Sequence, residues 1–477
     1  MKRTWPLIAI LIAYLTVGTL YAVYTPDWQV PDEPAHYNYV RALVETRRLP
    51  VMEPGDYDQR YLERLTSEGF PEHLPVDAVT YEDHQPPLYY LLVAPIFWLS
   101  DGSLLALRLF SLALGAVVIV MTANIAQTLY PKRPALAWLA AGLVAFLPQH
   151  VAMMAGVNND ALTEALLSLW LWLALRYLRG DVRAPTLGLL LGALLLTKTT
   201  GYVALPLALI VLALRHRRSR LSWTRTAQQA LQLLLPALAL GSLWWIRNVT
   251  VYGWPDLLGL ARHNAVVVGQ PRTAAGIARD GLFPFLSGAL WTAFRSFWGQ
   301  FGWMGVVVDR RIYLGAALLS ALMVWGFLWH LIDAGDDPRP RHRDALILLG
   351  SATVLTFALP IWYNLTFVQH QGRYFFPALP ALALVGALGL RRLTQTRLAV
   401  ITALLLIVLL VILGGMGVLR GDMPLWPMAL VGLAAALVMA GGLGGRNWQP
   451  IFGGLLLVGG VALDLWCLFG FIVPILT

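Results

Sequence analysis

The chain has 477 residues, of which 58% are hydrophobic and 13% charged, with a mean hydropathy of +0.64. A soluble domain carries about 25% charged residues, so the composition excludes an ordinary soluble fold. The net charge of +9 sits in short basic clusters between apolar runs, which excludes a nucleic-acid-binding face, and the single cysteine, Cys467, excludes an intrachain disulfide or a cysteine metal site.

In chain order, Lys2-Arg3 precede an apolar run over 7–23. It has no Ala-x-Ala cleavage site and many more spans follow, so it reads as an uncleaved first helix with a cytoplasmic N-terminus. Residues 25–86 form the longest polar stretch and are expected outside. Leu88–Leu99 is apolar but short of the ~20 residues a crossing needs. If it crossed, Lys132-Arg133, Arg176/Arg179/Arg183 and the 215–220 cluster would lie outside, against the positive-inside rule. It therefore reads as a helix lying at the outer surface, with the second span at 104–129. Further spans are expected at 135–149, 160–178, 186–198, 201–214, 227–246, 312–331, 345–366, 374–390, 397–417, 424–443 and 451–472. The expectation is an all-α polytopic membrane protein of about 13 transmembrane helices, N-terminus inside and C-terminus outside. A second external stretch, 248–311, contains an amphipathic aromatic piece at 283–304. No internal repeat or low-complexity tract is visible.

This threading gathers the unusual polar residues on the outer side: Asp32, Glu33, His36, His84, Gln85, His150, Asn158, Asn159, Asp160, Lys198, Arg247, Asn248, His370, Gln371, Arg373 and Tyr374. Ionised groups at a membrane boundary usually line a wet cavity. Carboxylates and cations in one cavity suit proton transfer beside a bound anion. Plainer readings stand beside these. Asp32 and Glu33 precede Pro34 and suit a helix cap, as does Asp160 at the start of an apolar helix. Lys198 suits a snorkelling lysine and Arg373 an interfacial aromatic belt. His36 follows Asp32 by four residues, a spacing open to a metal pair but weak as a signal. The sequons at Asn248 and Asn364 sit at the membrane boundary and read as chance.

The order of short motifs resembles the GT-C membrane glycosyltransferases. These are Pro31-Asp32-Glu33-Pro34-Ala35-His36-Tyr37, His84-Gln85-Pro86-Pro87-Leu88-Tyr89-Tyr90, Val157-Asn158-Asn159-Asp160, Leu196-Thr197-Lys198-Thr199-Thr200-Gly201, Arg247-Asn248 and Gln371-Gly372-Arg373-Tyr374-Phe375-Phe376-Pro377. The resemblance is to the protein O-mannosyltransferase and aminoarabinose-transferase group. Phe297-Trp298 with Phe301-Gly302-Trp303 also resembles a less characterised branch of membrane proteins. It covers residues 1–390 as a catalytic module and leaves 391–477 as scaffold or lipid-facing helices. It implies a sugar donor on a polyprenyl phosphate, an acceptor hydroxyl on a glycan, lipid or protein, an active site on the extracytoplasmic face of the inner membrane, inversion, and no metal or other cofactor. Carried onto this chain as catalytic residues, Asp32 would be the general base, Glu33 would support it or hold the acceptor, and Asp160 would help orient acceptor or sugar. Lys198, Arg247, Arg373, Tyr374 and His84 would hold the donor phosphate, and His36, Tyr37, Gln85 and Asn159 the acceptor or sugar. Relatives often carry lysine where this chain has Gln85. Alternatives are a polysaccharide polymerase or O-antigen ligase, and a lipid or glycan transporter. The early Asp-Glu pair argues against the first, and the lack of a repeat against the second.

Overall fold

The computed structural model describes residues 4–333 and 339–477, without the side chains of 339–342 and 446–450. Lys2 and Arg3, which carry the cytoplasmic placement of the N-terminus, lie outside the described residues. The helices are α1 Trp5–Tyr24, α2 Glu33–Thr46, α3 Gln59–Ser67, α4 Leu88–Leu99, α5 Leu104–Leu129, α6 Pro134–Ala145, α7 Pro148–Met154, α8 Asp160–Arg179, α9 Ala184–Leu195 and α10 Ala204–Ser219. They continue with α11 Trp223–Tyr252, α12 Leu260–Val266, α13 Thr273–Asp280, α14 Leu282–Trp298, α15 Arg310–Ile332, α16 Arg339–Tyr363, α17 Leu379–Leu393, α18 Thr396–Arg420, α19 Leu425–Cys467 and α20 Val473–Leu476. One short antiparallel hairpin pairs β1, Gln300–Phe301, with β2, Val306–Val307, and follows α14 within the second external stretch.

Local sequence explains many ends. Ser103, Ser222 and Asp309 cap α5, α11 and α15 by accepting backbone N–H bonds at 3.4, 3.3 and 2.8 Å. Proline opens α6 and α7. Gly180 closes α8 at φ 97°.

The chain is an integral multi-pass membrane protein. Each of the thirteen apolar segments is helical, but among the described residues eleven helices are long and apolar enough to cross, or twelve if one bent pair counts as a span. The expected count of thirteen is not confirmed. The expected span at 135–149 is broken, α6 and α7 meeting at 67°, and the span expected at 186–198 is the shorter helix α9. Between Leu195 and Lys198 the backbone turns, and a 3-10 run over Thr199–Val203 leads into α10.

The main core forms where α1, α5, α6, α8, α9, α10 and α17 converge, around Tyr14, Trp170, Leu187 and Leu191. Lipid tails are as apolar as leucine, so the helices gain most from close van der Waals approach. Gly326 of α15 and Gly389 of α17 show this. A methyl group on Gly326 would strike the backbone of Gly389, and one on Gly389 the backbone of Met323. The stretch 25–86 builds its own small core, in which Ala35, Met52, Leu65, Val79 and Tyr81 pack with Val266 and Val267.

Candidate active site

Asp32 lies just before α2 in the left-handed conformation, φ 68°, which aspartate tolerates better than most residues. Its side chain makes no helix-cap bond, so capping does not explain it. Oδ1 accepts from the Tyr81 hydroxyl at 2.8 Å, and Oδ2 from Arg373 Nη2 at 2.6 Å. Burial alone would raise its pKa. The adjacent Arg373 charge outweighs this, with help from His36 and the Arg373 and Tyr81 hydrogen bonds, and holds the carboxyl down at about 2.

Arg373 is the second residue of a 3-10 run over Gly372–Ala378 that leads into α17. Gly372 lies against the backbone of Ala293 and Phe297 in α14, leaving no room for a side chain, and its N–H donates to Ser296 Oγ at 2.7 Å. Tyr374 places its ring under the guanidinium at 5.4 Å and bonds Gln369 at 3.3 Å.

Asp160 is the first residue of α8. Its neighbour Asn158 does the capping, accepting from Ala161 N at 3.1 Å, so the Asp160 carboxylate is left to pair with Lys198 Nζ at 2.8 Å. Lys198 is held by its surroundings. The Leu196 carbonyl accepts from Leu88 N at 2.9 Å, and the Thr197 carbonyl from Asn159 Nδ2 at 3.4 Å. His36 bonds the Tyr90 hydroxyl through Nδ1 at 2.9 Å, and Asn159 Nδ2 reaches the same hydroxyl at 3.4 Å. Burial and then the Lys198 charge lower the His36 pKa to about 3, so the ring is neutral at pH 7. The start of α2 and the ends of α8, α9 and α17 thus meet, and Asp32, His36, Asn159, Asp160, Lys198, Arg373 and Tyr374 form one cluster. The basic residues Arg176 and Arg179 occupy the far end of α8.

Four expected residues lie apart from it. Glu33, next to Asp32, is enclosed on the opposite side. Arg108 of α5 grips it bidentately, Nε to Oε1 at 2.8 Å and Nη2 to Oε2 at 2.7 Å. The other Arg108 donors bond the carbonyls of Ala22, Thr25 and Pro26. The backbone N–H groups of Trp28 and Val157 complete the Glu33 shell at 3.1 and 3.2 Å. Tyr37 donates to the Gly102 carbonyl at 2.8 Å and packs on Trp28 and Phe97. Arg247 lies over Trp244 and Tyr252 and bonds Asn248 and the Pro50 carbonyl. His84 faces His263 at 4.4 Å. Burial and then His263 press its pKa well below 6.5, so it carries no charge toward an anion at pH 7.

Sequence reasoning missed Tyr81, Glu82 and Arg108. Burial and then the Asp32 charge raise Glu82 to about 7, and it also feels Lys198 and Asp160. Its proximity was signalled only by position, immediately before His84-Gln85-Pro86-Pro87. Glu82 Oε2, Gln85 Oε1 and Asn159 Oδ1 are buried acceptors without a partner. Such groups cost about 1–3 kcal/mol each until a donor reaches them. Among the described residues, no three histidine, cysteine, aspartate or glutamate side chains come together as a metal site.

The family described as dolichyl-phosphate-mannose-protein mannosyltransferase matches residues 84–245. No curated protein matches the chain in sequence. Among solved structures, ArnT from Cupriavidus metallidurans bound to undecaprenyl phosphate is similar over 100% of this chain and 77% of that chain, with 15% identity and a TM-score of 0.55. Its apo state is similar over 98% and 76%, with 16% identity and the same score. An oligosaccharyltransferase from Archaeoglobus fulgidus tethered to an acceptor peptide matches 95% of this chain and 55% of that chain, with 15% identity and a score of 0.45.

Proposed function

Given that this chain carries the GT-C fold, we propose that it is a membrane glycosyltransferase that moves a sugar from a polyprenyl phosphate to an acceptor hydroxyl on the extracytoplasmic face. The observation that carries this is the convergence of Asp32, Asp160, Lys198 and Arg373 at one end of the bundle. The match to ArnT with bound undecaprenyl phosphate supports a lipid phosphate donor.

In this reading Asp32 accepts the proton of the acceptor hydroxyl as its oxygen attacks the anomeric carbon. The bond from that carbon to the phosphate oxygen breaks, and the polyprenyl phosphate leaves with the electron pair. Displacement by one base inverts the anomeric centre, and a phosphate leaving group needs no general acid. Lys198 and Arg373 stabilise the departing anion, Arg373 through a planar fork suited to phosphate. The unpartnered acceptors of Glu82, Gln85 and Asn159 suit sugar hydroxyls. That is chemistry for a neutral glutamine where relatives often hold a lysine. Glu33 acts by position, fixing the turn that presents Asp32. A transporter would place its charges near the bilayer midplane, whereas these sit at helix ends.

Purified protein given a panel of polyprenyl-phosphate sugars should hydrolyse or transfer at least one, and Asp32→Asn should not. Turnover by Asp32→Asn at the wild-type rate would overturn the base assignment.

A further inference from the structure

A cavity lies within the stretch 25–86, beside the Asp32 cluster. It has a volume of about 220 Å³ and is lined by Tyr57, Tyr61, Tyr81, Asp56, Asp58 and Leu62. Tyr57 and Tyr81 meet edge to face at 5.6 Å, and the Tyr61 hydroxyl is tied to the Pro75 carbonyl at 2.7 Å. Asp58 Oδ1 caps α3, accepting from the backbone of Arg60 and Tyr61 at 2.9 and 3.1 Å. Asp56 Oδ2 accepts from Glu53 N at 2.6 Å. Each carboxylate thus spends one oxygen on backbone N–H groups beside the aromatic rings.

Tyr81 is the wall that this cavity shares with the reaction centre. Its ring lines the cavity while its hydroxyl donates to Asp32 Oδ1 at 2.8 Å. Cavity and base are separated by one tyrosine side chain, a length comparable to one sugar ring.

We propose that this cavity seats a glycan acceptor, holding the sugar residue next to the one whose hydroxyl reacts at Asp32. The proposal rests on Asp32 being the transfer site. Tyrosine rings pack against the C–H face of a pyranose, and carboxylate oxygens accept from its hydroxyls. An acyl chain would leave Asp56 and Asp58 facing apolar groups, an uncompensated desolvation.

The test uses the full chain in lipid nanodiscs, a donor it hydrolyses, and a panel of neutral di- and trisaccharides as probes. At least one saccharide should be glycosylated. For it, Tyr57→Ala and Asp58→Asn should raise KM at least fivefold with kcat within twofold. Asparagine keeps the α3 cap, so Asp58→Asn reads charge and not folding. Arg60→Ala, on the same helix but outside the cavity, should change neither constant. Tyr81→Phe keeps the ring and loses the hydroxyl, and should move kcat more than KM. Wild-type KM in both Tyr57→Ala and Asp58→Asn would overturn the proposal, as would transfer confined to acceptors that contain no sugar. Donor hydrolysis without any acceptor, present in the wild type and lost in Asp32→Asn, reads the proposed function independently of the cavity. Saturation-transfer NMR with the same saccharides reads the cavity without turnover, and equal signals from wild type and Tyr57→Ala would also overturn it.

Discussion

Arg373 and Asp32 are 341 residues apart in the chain and 2.6 Å apart in the fold. The pairing sets the resting state of the site, because a carboxylate held at a pKa of about 2 by a guanidinium is a weak base. In the proposed mechanism an arriving phosphate would compete for Arg373 and free Oδ2 for the acceptor, so donor binding would strengthen the base that the acceptor needs.

That coupling is visible in a pH profile. The depressed Asp32 pKa owes most of its lowering to Arg373, so Arg373→Ala should move the acid limb of donor hydrolysis upward by at least one pH unit and raise the donor KM. An acid limb at its wild-type position would show that Arg373 does not tune Asp32.

Lys198 should separate from Asp32 in the same assay. Its ammonium lies 2.8 Å from Asp160, and in the proposed site it holds phosphate. Lys198→Ala should raise the donor KM tenfold or more, while Lys198→Arg, which keeps a charge, should recover much of the loss. An unchanged donor KM in Lys198→Ala would remove it from the phosphate site.

The Glu33–Arg108 pair should behave as structure. Both side chains are buried, at 0% and 2% exposure, and breaking such a pair by removing one partner costs about 3–5 kcal/mol. Arg108→Met should therefore lower the thermal midpoint sharply and reduce the yield of folded protein. Arg108→Met with Glu33→Leu should recover part of it, because no buried charge is then left alone. A single Arg108→Met variant as stable as wild type would refute this reading.

Glu82 gives a stability dependence of opposite sign to that of Asp32. Its pKa is raised to about 7, by burial and then by Asp32, with Asp160 adding to the rise and Lys198 and Gln85 opposing it. A raised acid pKa favours the folded state below the ordinary value near 4.5, and that contribution is lost as pH rises through about 7. Glu82→Gln should flatten the fall in thermal midpoint between pH 5 and 8. The depressed Asp32 acts the other way, its contribution being lost only as pH falls below about 4 toward 2. An equally steep fall in Glu82→Gln would assign the slope elsewhere.

Much of the fold was legible because hydropathy reports what each segment must avoid. The segments predicted to be apolar spans are all helices. Two of them resist counting as spans, since a break at Phe146–Leu147 and a stop at Leu195 depend on neighbours and not on local composition. The site was legible wherever charge at a helix end carried the signal, as for Asp32, Asp160, Lys198 and Arg373. Glu33 looked equivalent to Asp32 because adjacent residues share a motif, yet the two side chains bond different partners, Arg108 for Glu33 and Arg373 for Asp32. Arg108 was invisible because it lies inside an apolar run, where only its partner explains it. Tyr81 and Glu82 reach the site through a loop path that no periodicity encodes.

The distance between Asp32 and Arg373 along the chain also has a consequence in time. At roughly 5–20 residues per second of synthesis, Asp32 emerges roughly half a minute before its cation exists. Over that interval the Asp32 carboxylate has no Arg373 guanidinium to pair with. A chain cut short by a frameshift or a stalled ribosome before residue 373 keeps most of its membrane helices but never forms the Asp32–Arg373 pair. The Asp32–Arg373 pair is therefore among the later contacts that can form as the chain is made.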